Sequence, residues 1–318
     1  MKKVLLLTLI CVTCFGMLAY AAPKKIALIG RISWCPGSTG STHDRDFDIM
    51  HHFSMTDEVL CKTLDSWGYF SLLMTDYVVQ YMLNNGECPF PPGDDADYFN
   101  YVNDGEYMMQ PTFLKDDGYS LAWVTGTVWS NICPQLRGAG GVPIIMGEHS
   151  CTASNTGKIG TIFMFYGTGN GDMNGDTTIQ LTAAGKTHPL TAGLPDEIQI
   201  WDPGALTAGE VAAGIKDVAA DAAPGTVVLA VWKSDPTMSA LSVIEAGGDL
   251  ADGTKAPARM VVPFCNGGNV RPTPEADLPP TWIVTYDYLT PAGVDLTRRM
   301  VRWAMGEDPT GVGKWDMK

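Results

Sequence analysis

Positive charge is scarce in this chain. Its 318 residues hold 21 Lys and Arg against 35 Asp and Glu, a formal net charge of −14. An acidic surface repels phosphates and anionic lipid, which argues against nucleic acid and against a membrane surface as partners. Metal and redox motifs are missing as well. Beyond residue 21 no C-x-x-C pair occurs, which argues against a zinc ribbon or a thioredoxin-type centre. The chain has neither H-x-x-x-H nor H-E-x-x-H. Trp34–Ser41 (WCPGSTGS) is glycine-rich, but it is neither G-x-G-x-x-G nor a P-loop, so a nucleotide site there is disfavoured. Long apolar runs are confined to Val4–Leu18, which falls short of the roughly 20 residues that a membrane span needs. No long low-complexity tract interrupts an otherwise ordinary globular composition.

That apolar run explains itself by its flanks. Lys2 and Lys3 precede it, and Ala19-Tyr20-Ala21 ends it as an A-x-A site. The pattern is that of a secretory signal peptide over residues 1–21, with cleavage expected before Ala22. Cys11 and Cys14 lie inside the run, but Val12-Thr13 makes a poor lipobox. The expected protein is therefore exported, periplasmic or extracellular, and free of the membrane once cleaved. Removing the two lysines takes its formal charge from −14 to −16. Cys35, Cys61, Cys88, Cys133, Cys151 and Cys265 remain. An even count in an exported protein permits disulfides, and six cysteines allow 15 connectivities among which sequence does not choose. Cys61, on the apolar face of a predicted helix, reads as a small buried hydrophobe.

Periodicity gives the architecture. Lys25–Gly30 is a continuous apolar run, the mark of a strand buried on both faces. Thr56-Asp57-Glu58 opens a helix that runs to Trp67 and is stopped by Gly68. Tyr69–Met74, Tyr119–Val124 and Val142–Gly147 are further strands, with short helices at Asp76–Leu83 and Asn131–Ala139. Asn84–Asp117 has the look of an insertion, with at most one helical piece at Asp95–Asn103. Such β-α-β alternation implies a parallel sheet with right-handed crossovers. The second half is strand-rich and short in connections: Ile159–Tyr166, Thr177–Thr182, Glu197–Trp201, Thr226–Trp232, Ala240–Glu245 and Arg259–Phe264. These read as antiparallel additions to the same sheet or as a small β-subdomain. A last helix, Pro291–Met305, sets Val294, Thr297, Val301 and Ala304 on one side and ends at Gly306.

In this order stand three phrases: Thr187–Pro195 (THPLTAGLP), Ala256-Pro257-Ala258-Arg259 leading into a strand, and Arg302–Gly306 (RWAMG) closing the last helix. With them, the chain from Lys25 to Gly306 resembles the ThuA-like proteins of the class I glutamine amidotransferase-like superfamily, as an exported bacterial member. The resemblance implies an α/β fold with a flavodoxin-like parallel core, helices on both faces, and antiparallel strands extending its C-terminal half. It implies a single domain over residues 22–306 and a tail over 307–318. It also implies a link to carbohydrate utilisation. Amidotransferases of the superfamily carry a G-x-C-x-G elbow straight after a strand. Here Gly147-Glu148-His149-Ser150-Cys151 sets the cysteine too late, with no glycine two residues on, so glutamine hydrolysis is unsupported.

The candidate site follows from strand ends, since ligands of open α/β sheets bind at the carboxyl edge. Glu148 and His149 are the candidate proton-transfer groups; adjacent residues on an extended chain point opposite ways, so Glu148 can share a side with Ser150 but not with His149. Thr125, Thr127 and Ser130 (TGTVWS) leave the third strand toward the same edge and could bind an oxyanion or sugar hydroxyls; Ser130 could equally be an ordinary helix cap. Asp202, after Trp201, is either a ligand contact or a turn former. His43, Asp44, Asp46, Asp48, His51 and His52 could hold a metal or form a solvated loop. Asn170–Asp176 resembles half a calcium loop, but its twelfth position is Leu181, and a tight turn explains it better. No metal site is assigned and no cofactor is implied. His188 reads as a structural histidine. The expected function is a non-catalytic binding or cell-envelope module for a small polar or carbohydrate ligand; the alternative is a hydrolase acting on a carbohydrate-related substrate through Glu148 and His149. The sequence favours no oligomeric state.

Overall fold

The computed structural model describes residues 22–30, 58–75, 113–124, 142–146, 164–166, 176–202, 217–264, 270–271, 281–282 and 289–311. Its apolar runs form a sheet covered on both faces. Strand β1 (Lys25–Gly30) sends Ile26 and Leu28 into one core cluster and Ala27 into the other. Strand β3 (Tyr119–Val124) divides in the same way, Leu121 and Trp123 against Ala122 and Val124. The two-residue period of a strand thus fills two cores from one continuous apolar run.

In the parallel half, β1 lies between β2 (Phe70–Thr75) and β3, and β4 (Ile144–Met146) follows β3. The other strands are β5 (Thr178–Leu181), β6 (Glu197–Gln199), β7 (Thr226–Trp232), β8 (Ser239–Ile244) and β9 (Met260–Val262). All belong to one nine-stranded sheet of order β2-β1-β3-β4-β9-β8-β7-β5-β6. The protein is therefore mixed α/β, and the strand-rich second half extends the first half's sheet rather than forming a subdomain. Strand β9 departs from the sequence expectation. The sequence pattern groups it with the antiparallel additions, yet it pairs in parallel with β4 while pairing antiparallel with β8. It joins the two halves, and a pairing between segments so distant in sequence leaves no local pattern. A separate ribbon pairs β10 (Val270–Arg271) with β11 (Thr281–Trp282).

Helix α1 (Glu58–Ser66) buries Leu60 and Leu64, one turn apart, and the chain reverses at Gly68 with φ 86°. The last helix, α4 (Pro291–Ala304), begins where sequence predicts it, with the Gly293 N–H donating to the Thr290 hydroxyl over 3.0 Å and proline in the first turn. Of the side expected to face inward, Thr297, Val301 and Ala304 are buried and Val294 is half-buried, and Leu296, Met300 and Trp303 widen the buried face. Both helices cover the cluster built on Ile26, Leu28 and Trp123. Among the described residues the opposite cluster is closed by Leu114 of the one-turn helix α2 (Phe113–Asp116) and by Met164, Phe165, Leu250 and Ala256.

Helix α2 sits at the end of the Asn84–Asp117 insertion, where the sequence reading places none, and the helical piece expected at Asp95–Asn103 lies outside the described residues. Of the expected strand Ile159–Tyr166 only residues 164–166 are described, and there Phe165 makes an antiparallel bridge to Ala222. Helix α3 (Ala183–Thr187) was not expected. It is a five-residue turn, too short for a periodic signal, capped by the Thr182 hydroxyl. Asp76–Leu83 and Asn131–Ala139 lie outside the described residues. Glu307, at the start of the expected tail, pairs with Lys24 at 2.8 Å and accepts from the Tyr69 hydroxyl at 2.9 Å. Among the described residues no helix is long and apolar enough to cross a membrane.

Candidate functional site

Strand directions define one edge. Strands β1, β3, β4 and β9 are parallel, and two antiparallel steps make β7 parallel to them. Their carboxyl ends, the β7–β8 hairpin, the start of β5 and the exit of β6 therefore share that edge. Val124 and Met146 are direct register partners at the ends of β3 and β4. The segments opening with Thr125 and Gly147 thus leave from neighbouring strands. Thr125, Thr127, Ser130, Glu148, His149 and Ser150 themselves lie outside the described residues, as do Trp34–Ser41 and the His43–His52 run.

Asp202 is described. It is exposed at this edge, directly after Trp201. Trp201 is 1% exposed, stacks on Trp232 with ring centroids 5.7 Å apart, and meets Phe264 edge-on at 5.8 Å. Such pairs add about 0.5–1.5 kcal/mol each beyond area burial. These rings are the floor beneath the edge, too buried to serve as a sugar-stacking platform. Asp176, last residue of the calcium-like stretch, spends its carboxylate on protein donors. It accepts from the Thr178 N–H at 3.0 Å, the Ser234 N–H at 2.9 Å and the Ser234 hydroxyl at 2.6 Å, tying β5 to the β7–β8 hairpin. The rest of that stretch, residues 170–175, is outside the described residues.

A group that sequence reasoning missed stands at the same edge. Asp217 is 6% exposed, and its Oδ1 has no hydrogen-bond partner. Burial pushes its carboxyl up from 3.8 to about 7, because the charged form loses hydration. Its position follows from three bonds. Val218 bridges Met238, the Ser239 N–H donates to the Asp217 carbonyl at 2.8 Å, and the Ala219 N–H donates to the Thr237 carbonyl at 2.8 Å. The Met238 carbonyl accepts from Trp232 in β7, and successive peptide C=O and N–H groups point opposite ways across a strand. The Asp217 segment therefore lies on the side of β8 that β9 occupies farther along, just past the carboxyl end of β9. Ser239 and Ser242 are 9% and 0% exposed, and their hydroxyls are 2.7 Å apart. Nothing in the local sequence marks Asp217; its burial is decided by strands that meet it from elsewhere.

Comparisons with protein-family models, with curated proteins and with solved structures return no match to this chain. The phrases that carry the resemblance nonetheless have a visible job, at the opposite, amino edge. His188 Nδ1 accepts from the Leu190 N–H at 3.2 Å, and its ring packs on Trp303 at 5.5 Å. Burial lowers the imidazole pKa, Glu245 opposes this and Arg259 adds to it. Arg259 lies 4.8 Å over the Trp303 ring, donates to the Trp303 carbonyl at 2.7 Å and pairs with Glu245 at 2.7 Å. The phrases therefore meet at the end of α4, where Arg259 satisfies a carbonyl that the helix leaves open. They are architectural. Among the described residues no group of three or more His, Cys, Asp or Glu is arranged to hold a metal.

Proposed function

We propose that this chain is an exported ThuA-like α/β domain with a flavodoxin-like core, acting as a binding or cell-envelope module for a small polar or carbohydrate ligand. The single observation that carries the reading is strand order. Parallel strands run β2-β1-β3-β4-β9, an order that reverses between β1 and β3, and in flavodoxin-like sheets ligands bind at the carboxyl ends beside such a reversal. Thr125, Thr127 and Ser130 follow β3, Glu148, His149 and Ser150 follow β4, and Asp202 follows β6. Their hydroxyls and carboxylates are the groups that recognise polyols. A thermal-shift screen of sugars and divalent ions tests it: a ligand should raise the melting temperature of the wild type, and Glu148→Ala should abolish the shift. A shift that survives Glu148→Ala overturns this site.

The second reading is a hydrolase for a carbohydrate-related substrate, with Glu148 and His149 moving protons. The feature that favours it is Asp217, a carboxyl raised to about 7 by burial near the same edge, since perturbed carboxyls gather at catalytic sites. Release of reducing sugar from oligosaccharides that stops with Glu148→Gln would support it.

A further inference from the structure

The Asp217 neighbourhood has donors and acceptors left over. Asp217 Oδ1 is a buried acceptor with no donor. Ser239 and Ser242 carry two hydroxyl hydrogens between them, and their mutual bond uses one. Asp217 and Ser239 are opposite residues across the short antiparallel bridge, so their side chains share a face, about 5 Å apart at Cβ. Buried polar groups are normally satisfied by the fold, so one left open is a place where a partner from outside the chain would gain most.

The chemistry of that partner is constrained. A carboxylate without water is stabilised most by an opposite charge that also donates hydrogen bonds. Among the described residues around it none supplies one. Strand β9 and its exit, Val262–Phe264, hold no charged residue. Lys233 in the hairpin is committed to Glu197 at 2.6 Å, and Asp235 accepts from the Thr237 N–H and hydroxyl at 3.0 and 2.6 Å. Asp221, on the same segment as Asp217, is itself acidic. A divalent metal would want several carboxylates, and none joins Asp217 among the described residues. A primary ammonium has three donors and one charge, and a chain of net charge −14 draws cations toward it.

We propose that Asp217, with the Ser239 hydroxyl beside it, anchors a primary ammonium group on the ligand, which makes amino sugars and similar amino alcohols the preferred class. This rests on the carboxyl-edge reading above and deepens it. The ammonium takes the unpaired carboxylate, and the spare serine hydroxyl donates to an adjacent ligand oxygen. Binding then displaces the carboxyl proton, so affinity should rise with pH until the acid is ionised in the free protein.

Calorimetric titration of the mature chain with glucosamine and with glucose tests this. Glucosamine should bind at least tenfold more tightly than glucose near neutral pH. Asp217→Asn should erase that preference, and Ser239→Ala should weaken glucosamine several-fold. Between about pH 5.5 and pH 7 the glucosamine affinity should rise by roughly tenfold or more while that for glucose stays level. Equal affinity for the two sugars, or a preference untouched by Asp217→Asn, overturns the inference. Glucosamine binding that is lost in Glu148→Ala but unchanged in Asp217→Asn overturns the role of Asp217 and leaves the edge site standing. Absence of binding by either sugar, in wild type and variants alike, sinks both.

Discussion

Asp217 makes a stability prediction that needs no ligand. Its carboxyl is buried, unpartnered at Oδ1, and raised from 3.8 to about 7 by loss of hydration. In the unfolded chain the proton leaves near the ordinary value; in the folded chain it stays on until about pH 7. Between those values the native state binds more protons, so this group's contribution to stability falls as pH rises and levels off above pH 7. The distance from 3.8 to about 7, at 1.36 kcal/mol for each tenfold change in proton affinity, is a penalty of roughly 4 kcal/mol above neutrality. Asp217→Asn removes the charge and keeps the shape. Its amide gains a buried donor, a pH-independent cost of about 1 kcal/mol. The difference in stability between variant and wild type should therefore be slightly negative near pH 4 and climb through neutrality to a gain of a few kcal/mol at pH 8.5. Urea unfolding midpoints of both proteins from pH 4 to pH 9 measure that difference, and the other carboxylates cancel in it. A variant that is less stable by the same amount at every pH would refute the reasoning, since it would mean that Asp217 is not ionised at a cost.

Other consequences follow from packing and from the cysteine count. A Cβ added at Gly185 in α3 would overlap the Leu229 carbonyl oxygen of β7, so Gly185→Ala should cost about 1–3 kcal/mol of strain, read as a lowered urea midpoint. Arg259→Ala removes the stack on Trp303, the bond to its carbonyl and the Glu245 pair; a loss of about 1–2 kcal/mol is expected, and Arg259→Lys should recover little of it because an ammonium lacks the planar fork. The even cysteine count predicts at least one disulfide in the mature protein. Intact mass after alkylation without reductant tests it, and six alkylated thiols would refute it.

Much of the fold was legible because it rests on local physics. Tyr119–Val124 and Thr226–Trp232 are strands over the residues their apolar runs predict. Pro291 and Gly306 bracket α4 because one presets the helical backbone and the other takes φ 75°. The candidate site was legible only as an address. Strands β3 and β4 are adjacent and parallel, while Thr125 and Glu148 lie outside the described residues. The convergence of their side chains falls outside the described residues, and Asp202 alone among the candidates can be located.

Sequence by itself determined strands such as β3 and β7, both ends of α4 and the excess of acidic residues, since each depends on residues a few positions apart or on composition. Tertiary structure decided the rest. The parallel pairing of β9 with β4 unites the sheet, and no nearby residue encodes it. The meeting of His188, Arg259 and Trp303 shows that short recognisable phrases can be joints of a fold instead of parts of a site. Asp217 is an ordinary acid in the sequence. Only the strands packed around it remove its water, and desolvation is a property of place that no residue carries in its own name.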